Sequence, residues 1–372
     1  MTEPGPLQQI DRTYVRYQGR KFSYFSGCDY FRLASHPLVV AALNQGAKRY
    51  GVSVAASRMT SGNHPLYQQL EERLTQFFGA QSALLVGSGY LSNMVVAQAL
   101  AGNFSHALID ERAHASLRDA TRFLDCPVIQ FKHLSQEDLR CCVGRCGPGA
   151  KIILLTDGLF AHNGAAAPLK DYLEALPPDA LVLVDDAHAA GILGTNGKGS
   201  SEYAGIGRQR VIQTITLSKA FGTYGGAILG SKKLRHSILT RSSVFSGSTP
   251  VPLPVANAAI TAVGLLKSDT SFAGRLRRNS AQAKAGFQRA GVELPKTPGP
   301  IVGLVPPNER AAQRLRRILL EAKVFPPEIV YPPSAADSYF RFVISSEHTR
   351  QQMHALQDAL AKAGLAGWGG MR

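Results

Sequence analysis

The sequence predicts an α/β fold in which a largely parallel sheet is covered on both faces by helices. Seven short, uninterrupted apolar runs recur through the middle of the chain, each with the length and content of a strand buried on both faces. Helical patterns separate them, as the crossovers between parallel strands require. Glycine, aspartate or histidine turns stand just beyond several runs, where an open parallel sheet receives its ligands.

The elements follow in order. Over the first 45 residues the chain is hairpin-like at Tyr14 to Phe22, around Gln18-Gly19, and is expected to pack against the carboxy-terminal part. The apolar runs are Ala83 to Val86, Ala107 to Ile109, Val128 to Phe131, Ile152 to Leu155, Leu181 to Val184, Val211 to Thr216 and Ala227 to Leu229. Pro250 to Pro254 opens a long helical passage, Val255 to Leu266, that leads out of the large domain. A helix near Ser271 to Ala290, a strand Ile301 to Val305, a basic helix and a strand near Tyr339 to Ile344 then describe a small α+β domain. The expected division is 1–45 as an amino-terminal segment, 46–265 as the large domain and 266–372 as the small one.

Composition narrows the function classes. The 372-residue chain is 45% hydrophobic and 18% charged, enough for a large core. Its formal charge of +15 raises nucleic acid as a partner. The basic residues, however, cluster on helix-like segments such as Arg310 to Arg317 and Arg275 to Arg278, without interleaved aromatics, so no nucleic-acid partner is expected. A basic surface also suits an anionic co-substrate such as coenzyme A, or an acidic acyl carrier protein. The longest uncharged stretch, Ser242 to Leu266, carries Pro250, Pro252 and Pro254 and reads as buried structure, so no membrane partner is expected. Met1 to Pro6 lacks a secretory signal pattern. The five cysteines show no metal-ligand spacing and no even framework, so no metal is expected and a reducing cytoplasm fits.

Four motifs carry chemistry. Gly87-Ser88-Gly89-Tyr90 joins a strand to a helix start, whose free N–H groups and positive dipole end suit a phosphate. A plain strand-to-helix turn would look the same. His114, just past a strand, could stack on an aromatic ring, although a lone histidine is more often structural. Asp185 closes an apolar strand and can supply a buried anion to a pyridinium nitrogen. Lys219 follows a β-branched strand and is flanked by Thr216, Gly222, Gly225 and Gly226, which let a phosphate approach the backbone. A lysine so placed can form a Schiff base with a carbonyl. Alone, such a lysine is usually a solvated surface group, and an Asp-Asp-x-His turn is often only a cap. Together the motifs point to pyridoxal 5'-phosphate chemistry.

The resemblance then becomes specific. Asp29-Tyr30, Ala34-Ser35-His36-Pro37, Ser57-Arg58, Ser61-Gly62, His64, Gly87 to Asn93, Asp157 to Phe160, Asp185 to Gly191, Thr216 to Gly222 and Arg341 to Thr349 together resemble the α-oxoamine synthase family of fold-type-I pyridoxal-phosphate enzymes. That resemblance implies a large domain with a mainly parallel seven-stranded sheet and a small α+β carboxy-terminal domain. It makes Lys219 the Schiff-base lysine and Asp185 the partner of the pyridine nitrogen. His188 would contact the cofactor's phenolic oxygen, and His114 would stack on its ring. Gly89, Tyr90 and Thr216 would seat the phosphate, and Arg341 would bind the amino-acid carboxylate, a task suited to a bidentate fork.

Three departures fall on the substrate side. Cys28 stands where the family usually has asparagine, Ala161 replaces a serine that commonly touches the cofactor, and the hydroxyl pattern around Phe245 to Pro250 is shifted. The implied reaction is decarboxylative condensation of glycine or alanine with an acyl thioester, carried by coenzyme A or an acyl carrier protein, to an α-amino ketone. A homodimer is implied, with Ser246 to Thr249 reaching the partner's cofactor. An aminotransferase on the same fold and a catalytically silent pyridoxal-phosphate-binding subunit remain the alternatives.

Overall fold

All seven apolar runs become strands of a single sheet. This architecture is that of a computed structural model, which describes residues 5–330 and 338–371. Contacts divide the chain into two units, residues 37–160 with 166–269 and residues 1–36 with 161–165 and 270–372.

The smaller unit begins with β1 (Gln8–Asp11), β2 (Tyr14–Tyr17) and β3 (Arg20–Ser23), an antiparallel sheet closed at Gln18-Gly19. The larger unit opens with α1 (Pro37–Tyr50) and α2 (Pro65–Phe78), the latter capped by His64, whose Nδ1 accepts from Leu66 N at 3.1 Å. The βα pattern then runs β4 (Ser82–Val86), α3 (Gly89–Ala99), β5 (His106–Asp110), α4 (Ala115–Thr121), β6 (Val128–Phe131), α5 (Gln136–Arg145), β7 (Ile152–Asp157), α6 (Leu169–Ala175), β8 (Leu181–Asp185), α7 (Ser200–Tyr203) and β9 (Val211–Thr216). β10 (Gly226–Gly230) turns back antiparallel between β9 and β4, giving the order β4-β10-β9-β8-β7-β5-β6. The unit ends with α8 (Lys232–Arg241), α9 (Ser243–Ser246) and α10 (Leu253–Ser268).

The strand period of two divides the core between the faces of this sheet. Ile153, Leu155, Leu183 and Ile212 join one cluster, whereas Ile152, Leu154, Val182 and Val211 join the other. Both faces are therefore apolar, which is why the strands read as continuous hydrophobic runs. Ser242 to Leu266 forms the end of α8's connection, α9 and most of α10. Among the described residues no helix is long and apolar enough to cross a membrane.

The remainder of the smaller unit comprises α11 (Ser271–Arg289), β11 (Ile301–Val305), α12 (Glu309–Glu321), β12 (Glu328–Ile329), β13 (Tyr339–Val343), α13 (Arg350–Ala363) and β14 (Gly369–Gly370). Its four-stranded sheet has the order β12-β13-β11-β14 and packs Phe340, Phe342, Leu315 and Leu356 into one core.

The observed division departs from the expected 1–45, 46–265 and 266–372 at three places, one being residues 266–269, which stay with the larger unit as the end of α10. Residues 37–45 join the larger unit because α1 lies against α10: a Cβ on Gly46 would come within 2.9 Å of Pro254 Cα, and Asn257 Nδ2 donates to Ala42 O at 2.7 Å. Residues 161–165 join the smaller unit, where Gly299 N donates to Gly164 O at 3.0 Å.

Candidate active site

The strand order reverses beside β5 and β7, since β6 lies to one side and β8 and β9 to the other. Ligands of open α/β sheets bind outside the carboxyl ends of strands at such a point. A cavity of about 230 Å³ lies there, among the residues that follow β4, β5, β7, β8 and β9. Parallel register sets Asp157 beside Asp185 and Asp185 beside Thr214.

Asp185 is 6% exposed and fully engaged. Its Oδ2 accepts from Asn93 Nδ2 at 2.7 Å and from Ser116 Oγ at 3.3 Å, and its Oδ1 accepts from Ala187 N at 2.9 Å. Thr214 Oγ1 donates to Asn93 Oδ1 at 2.7 Å, which orients the amide so that its NH₂ faces the carboxylate.

Next to it, burial pushes the Asp157 carboxyl well above the usual carboxylate range, and the neighbouring Asp185 adds to the shift. Asp157 Oδ2 accepts from His114 N at 2.8 Å. Two neighbouring strand ends thus set the hydrogen-bonded Asp185 beside a carboxyl group that favours its neutral form.

Lys219, in the turn after β9, is half-buried. Its Nζ lies 2.8 Å from Nε2 of His188, so a charged ammonium donates and the imidazole accepts. His188 is buried in the turn that follows Asp185, where Ala189 N and Ala190 N bond back to Asp186 O.

The start of α3 forms a cradle. Ser88 Oγ caps the helix, accepting from Leu91 N at 3.2 Å. Gly89 packs against Thr216 so closely that a Cβ would lie 2.7 Å from Thr216 Cβ, so only glycine keeps this space open. Thr216 Oγ1 is 2.8 Å from Ser218 Oγ. Tyr90 is half-exposed, its hydroxyl donates to Asp119, and its ring meets His114 edge-on with centroids 5.9 Å apart.

His114 caps α4 through Nδ1, which accepts from Ser116 N at 3.2 Å. Burial lowers its pKa, against the opposing pull of Asp185. A neutral ring with Nδ1 accepting carries its proton on Nε2.

These residues fit pyridoxal phosphate. The glycine cradle and the helix start match a phosphate, a buried anion matches a ring nitrogen, and an amine with a histidine partner matches the carbonyl end. Gly89, Tyr90, His114 and Thr216 surround the same cavity as Asp185, His188 and Lys219.

Arg341 belongs to the other unit, on β13 opposite Gly303 of β11. Its Nη2 donates to Cys28 Sγ at 2.9 Å, while its Nε is buried with no hydrogen-bond partner. Burial lowers its pKa, but Cys28, Tyr30 and Tyr339 outweigh that and raise it above the usual value. The thiol therefore occupies one prong of the fork. Ala161 presents only a methyl group.

Asn93, Ser116, Thr214 and Asp157 received no role from the motifs. Asn93 carried a signal, because a lone amide amid Leu91, Val95, Val96 and Ala97 on a buried helix needs a partner. Ser116 and Thr214 carried none.

A strand-end lysine, a buried aspartate and a phosphate cradle on this fold define a pyridoxal-phosphate-dependent enzyme. The family model for aminotransferase class I and II matches residues 29–360, and the chain belongs to that family. It is 36% identical to the 8-amino-7-oxononanoate synthase of Thioalkalivibrio sulfidiphilus, over 93% of this chain and 89% of the relative. It is 31% identical to 8-amino-7-oxononanoate synthase 1 of Bacillus subtilis, over 96% of this chain and 91% of that protein. Among solved structures, the Sphingomonas wittichii serine palmitoyltransferase superposes with a TM-score of 0.89 at 25% identity, covering 96% of this chain and 91% of that one.

Proposed function

We propose that this enzyme condenses glycine or alanine with an acyl thioester and releases carbon dioxide and the free thiol, leaving an α-amino ketone. The observation that carries this reading is the likeness to 8-amino-7-oxononanoate synthases over more than nine-tenths of the chain, found together with the Lys219, His188 and Asp185 arrangement.

Lys219 would hold the cofactor's carbonyl carbon and Asp185 its ring nitrogen, with His114 on the ring face, His188 at the phenolic oxygen, and Gly89, Tyr90 and Thr216 at the phosphate. When bound, pyridoxal phosphate supplies an electron sink for the pair left at Cα. Lys219 removes the Cα proton of the amino acid as general base, with His188 orienting its amine. Asn93 and Ser116 keep the Asp185 carboxyl group in place. Arg341 receives the substrate carboxylate. The working form is a homodimer in a reducing cytoplasm, and the thioester is borne by coenzyme A or an acyl carrier protein.

Purified protein with pyridoxal phosphate, an amino-acid panel and a thioester panel tests this. A thiol reagent should detect released thiol only with a small amino acid present, and mass spectrometry should find the amino ketone without its carboxyl carbon. Conversion of added 2-oxo acids with no thiol released would mean an aminotransferase instead.

A further inference from the structure

We infer that the amino ends of the large sheet form a second binding site, for a phosphorylated ligand of nucleotide size, at the opposite end of the strands from Lys219. A cavity of about 950 Å³ opens there, bounded by residues before β4 and β5, at the starts of β7, β8 and β9, and at the end of β10. It shares no lining residue with the cavity at Lys219. Small-molecule pockets run from roughly 300 to 1,000 Å³, so this space suffices for a base, a sugar and phosphates.

Its charge is one-sided. Lys151, Arg208, Lys233 and Arg241 line it, against the single carboxylate of Asp179. Among the described residues none of the four cations forms a salt bridge. Clustered cations on a concave surface raise the local potential and attract an anion. Arg208 adds a second observation: its Nη2 is shut off from solvent and has no hydrogen-bond partner. Such a donor is costly to leave unsatisfied, and a small shift of the guanidinium toward the cavity would bring it to a phosphate oxygen. The start of α8 contributes a positive dipole end, with Ser231 and Lys233 both on the cavity wall.

The wall also has an apolar part. Phe104, half-buried beside the core residues Ile152 and Leu234, offers an edge of apolar surface for a flat ring. A small inorganic anion would leave that surface unused, and an uncharged ring would leave the cations unused. A nucleotide uses both.

Calorimetric titration of the pyridoxal-phosphate-loaded protein with ADP tests the site while the cofactor occupies the other phosphate cradle. ADP should bind saturably at one molecule per chain, with adenosine and inorganic pyrophosphate each at least about tenfold weaker, and added salt should weaken it. Arg208→Ala should raise the ADP dissociation constant by roughly ten- to a hundredfold, the loss expected of a charge-assisted contact. Lys233→Glu, at an exposed position that leaves the fold intact, should do the same. No saturable ADP uptake, uptake unchanged in Lys233→Glu, or pyrophosphate binding as tightly as ADP would each overturn the proposal.

Discussion

Three donors converge on the carboxylate of Asp185, whereas the guanidinium of Arg341 rests against a thiol and leaves its Nε without a partner. Both regions are buried and charged, but they answer to different demands. The first is shaped to an invariant ligand, and a network with every prong engaged resists substitution. The second is where the proposed reading places the amino-acid carboxylate. Cys28 changes what Arg341 offers without disturbing the strand that carries it. Both oxygens of Asp185 accept hydrogen bonds within the closed network, whereas Arg341 keeps one donor without a bond.

Breaking the closed network should have the largest effect. Lys219→Ala should lower turnover by at least about 10³-fold, since it removes both the attachment point and the general base. Borohydride should then no longer fix pyridoxal phosphate to the chain, and a persisting covalent adduct would assign another lysine.

Asp185→Asn should follow closely. A neutral amide cannot support a pyridinium charge, so exchange of the amino acid's Cα proton in deuterium oxide should fall by roughly 10²-fold or more while the cofactor stays bound. Exchange at the parental rate would remove Asp185 from the chemistry.

On the other side of the comparison, Arg341→Ala should raise the amino-acid dissociation constant by about one to two orders of magnitude, the equivalent of a charge-assisted pair. Arg341→Lys should recover only part, because an ammonium lacks the fork. Spectral titration with glycine and alanine measures both. Cys28→Asn sharpens the point: an amide returned beside Arg341 should tighten glycine by a few-fold, roughly the worth of one neutral hydrogen bond. Unchanged affinity there would mean that the thiol is as good a neighbour as the amide.

The smallest effect concerns the residue behind the network. Asp186 accepts from Ser200 N at 2.9 Å and from Gln213 Nε2 at 2.5 Å through Oδ2, while Oδ1 has no partner. Burial pushes its pKa up to about 6. A carboxyl raised in the folded state favours folding most below its unfolded pKa of roughly 3.9, and that contribution is lost as pH rises through about 6. Asp186→Asn keeps an acceptor for both donors but does not titrate. Its melting temperature relative to the parent should therefore rise by a few degrees between about pH 4 and pH 7 and level off above. A difference constant with pH would mean that Asp186 ionises as easily folded as unfolded.

Some of this molecule was legible along the chain, because it depends on neighbours in sequence. Continuous apolar runs become strands buried on both faces wherever they fall, and Gly87 to Tyr90, His114, Asp185 and Lys219 each follow their own strand. Parallel connection then carries the carboxyl ends of all these strands except the antiparallel β10 to one edge, so chain order alone gathers these residues. Tertiary structure decided what depends on register and on distant surfaces. The pairing of β7 with β8 sets Asp157 beside Asp185, and Asn93 reaches Asp185 across the sheet from α3. Close packing of α1 on α10 moved residues 37–45 into the larger unit. Cys28 meets Arg341 across 313 residues, and the four cations at the amino ends of the strands come from two separate connections and one helix. No periodicity records such meetings, because side chains brought together by strand pairing carry no mark of their partner in their own sequence.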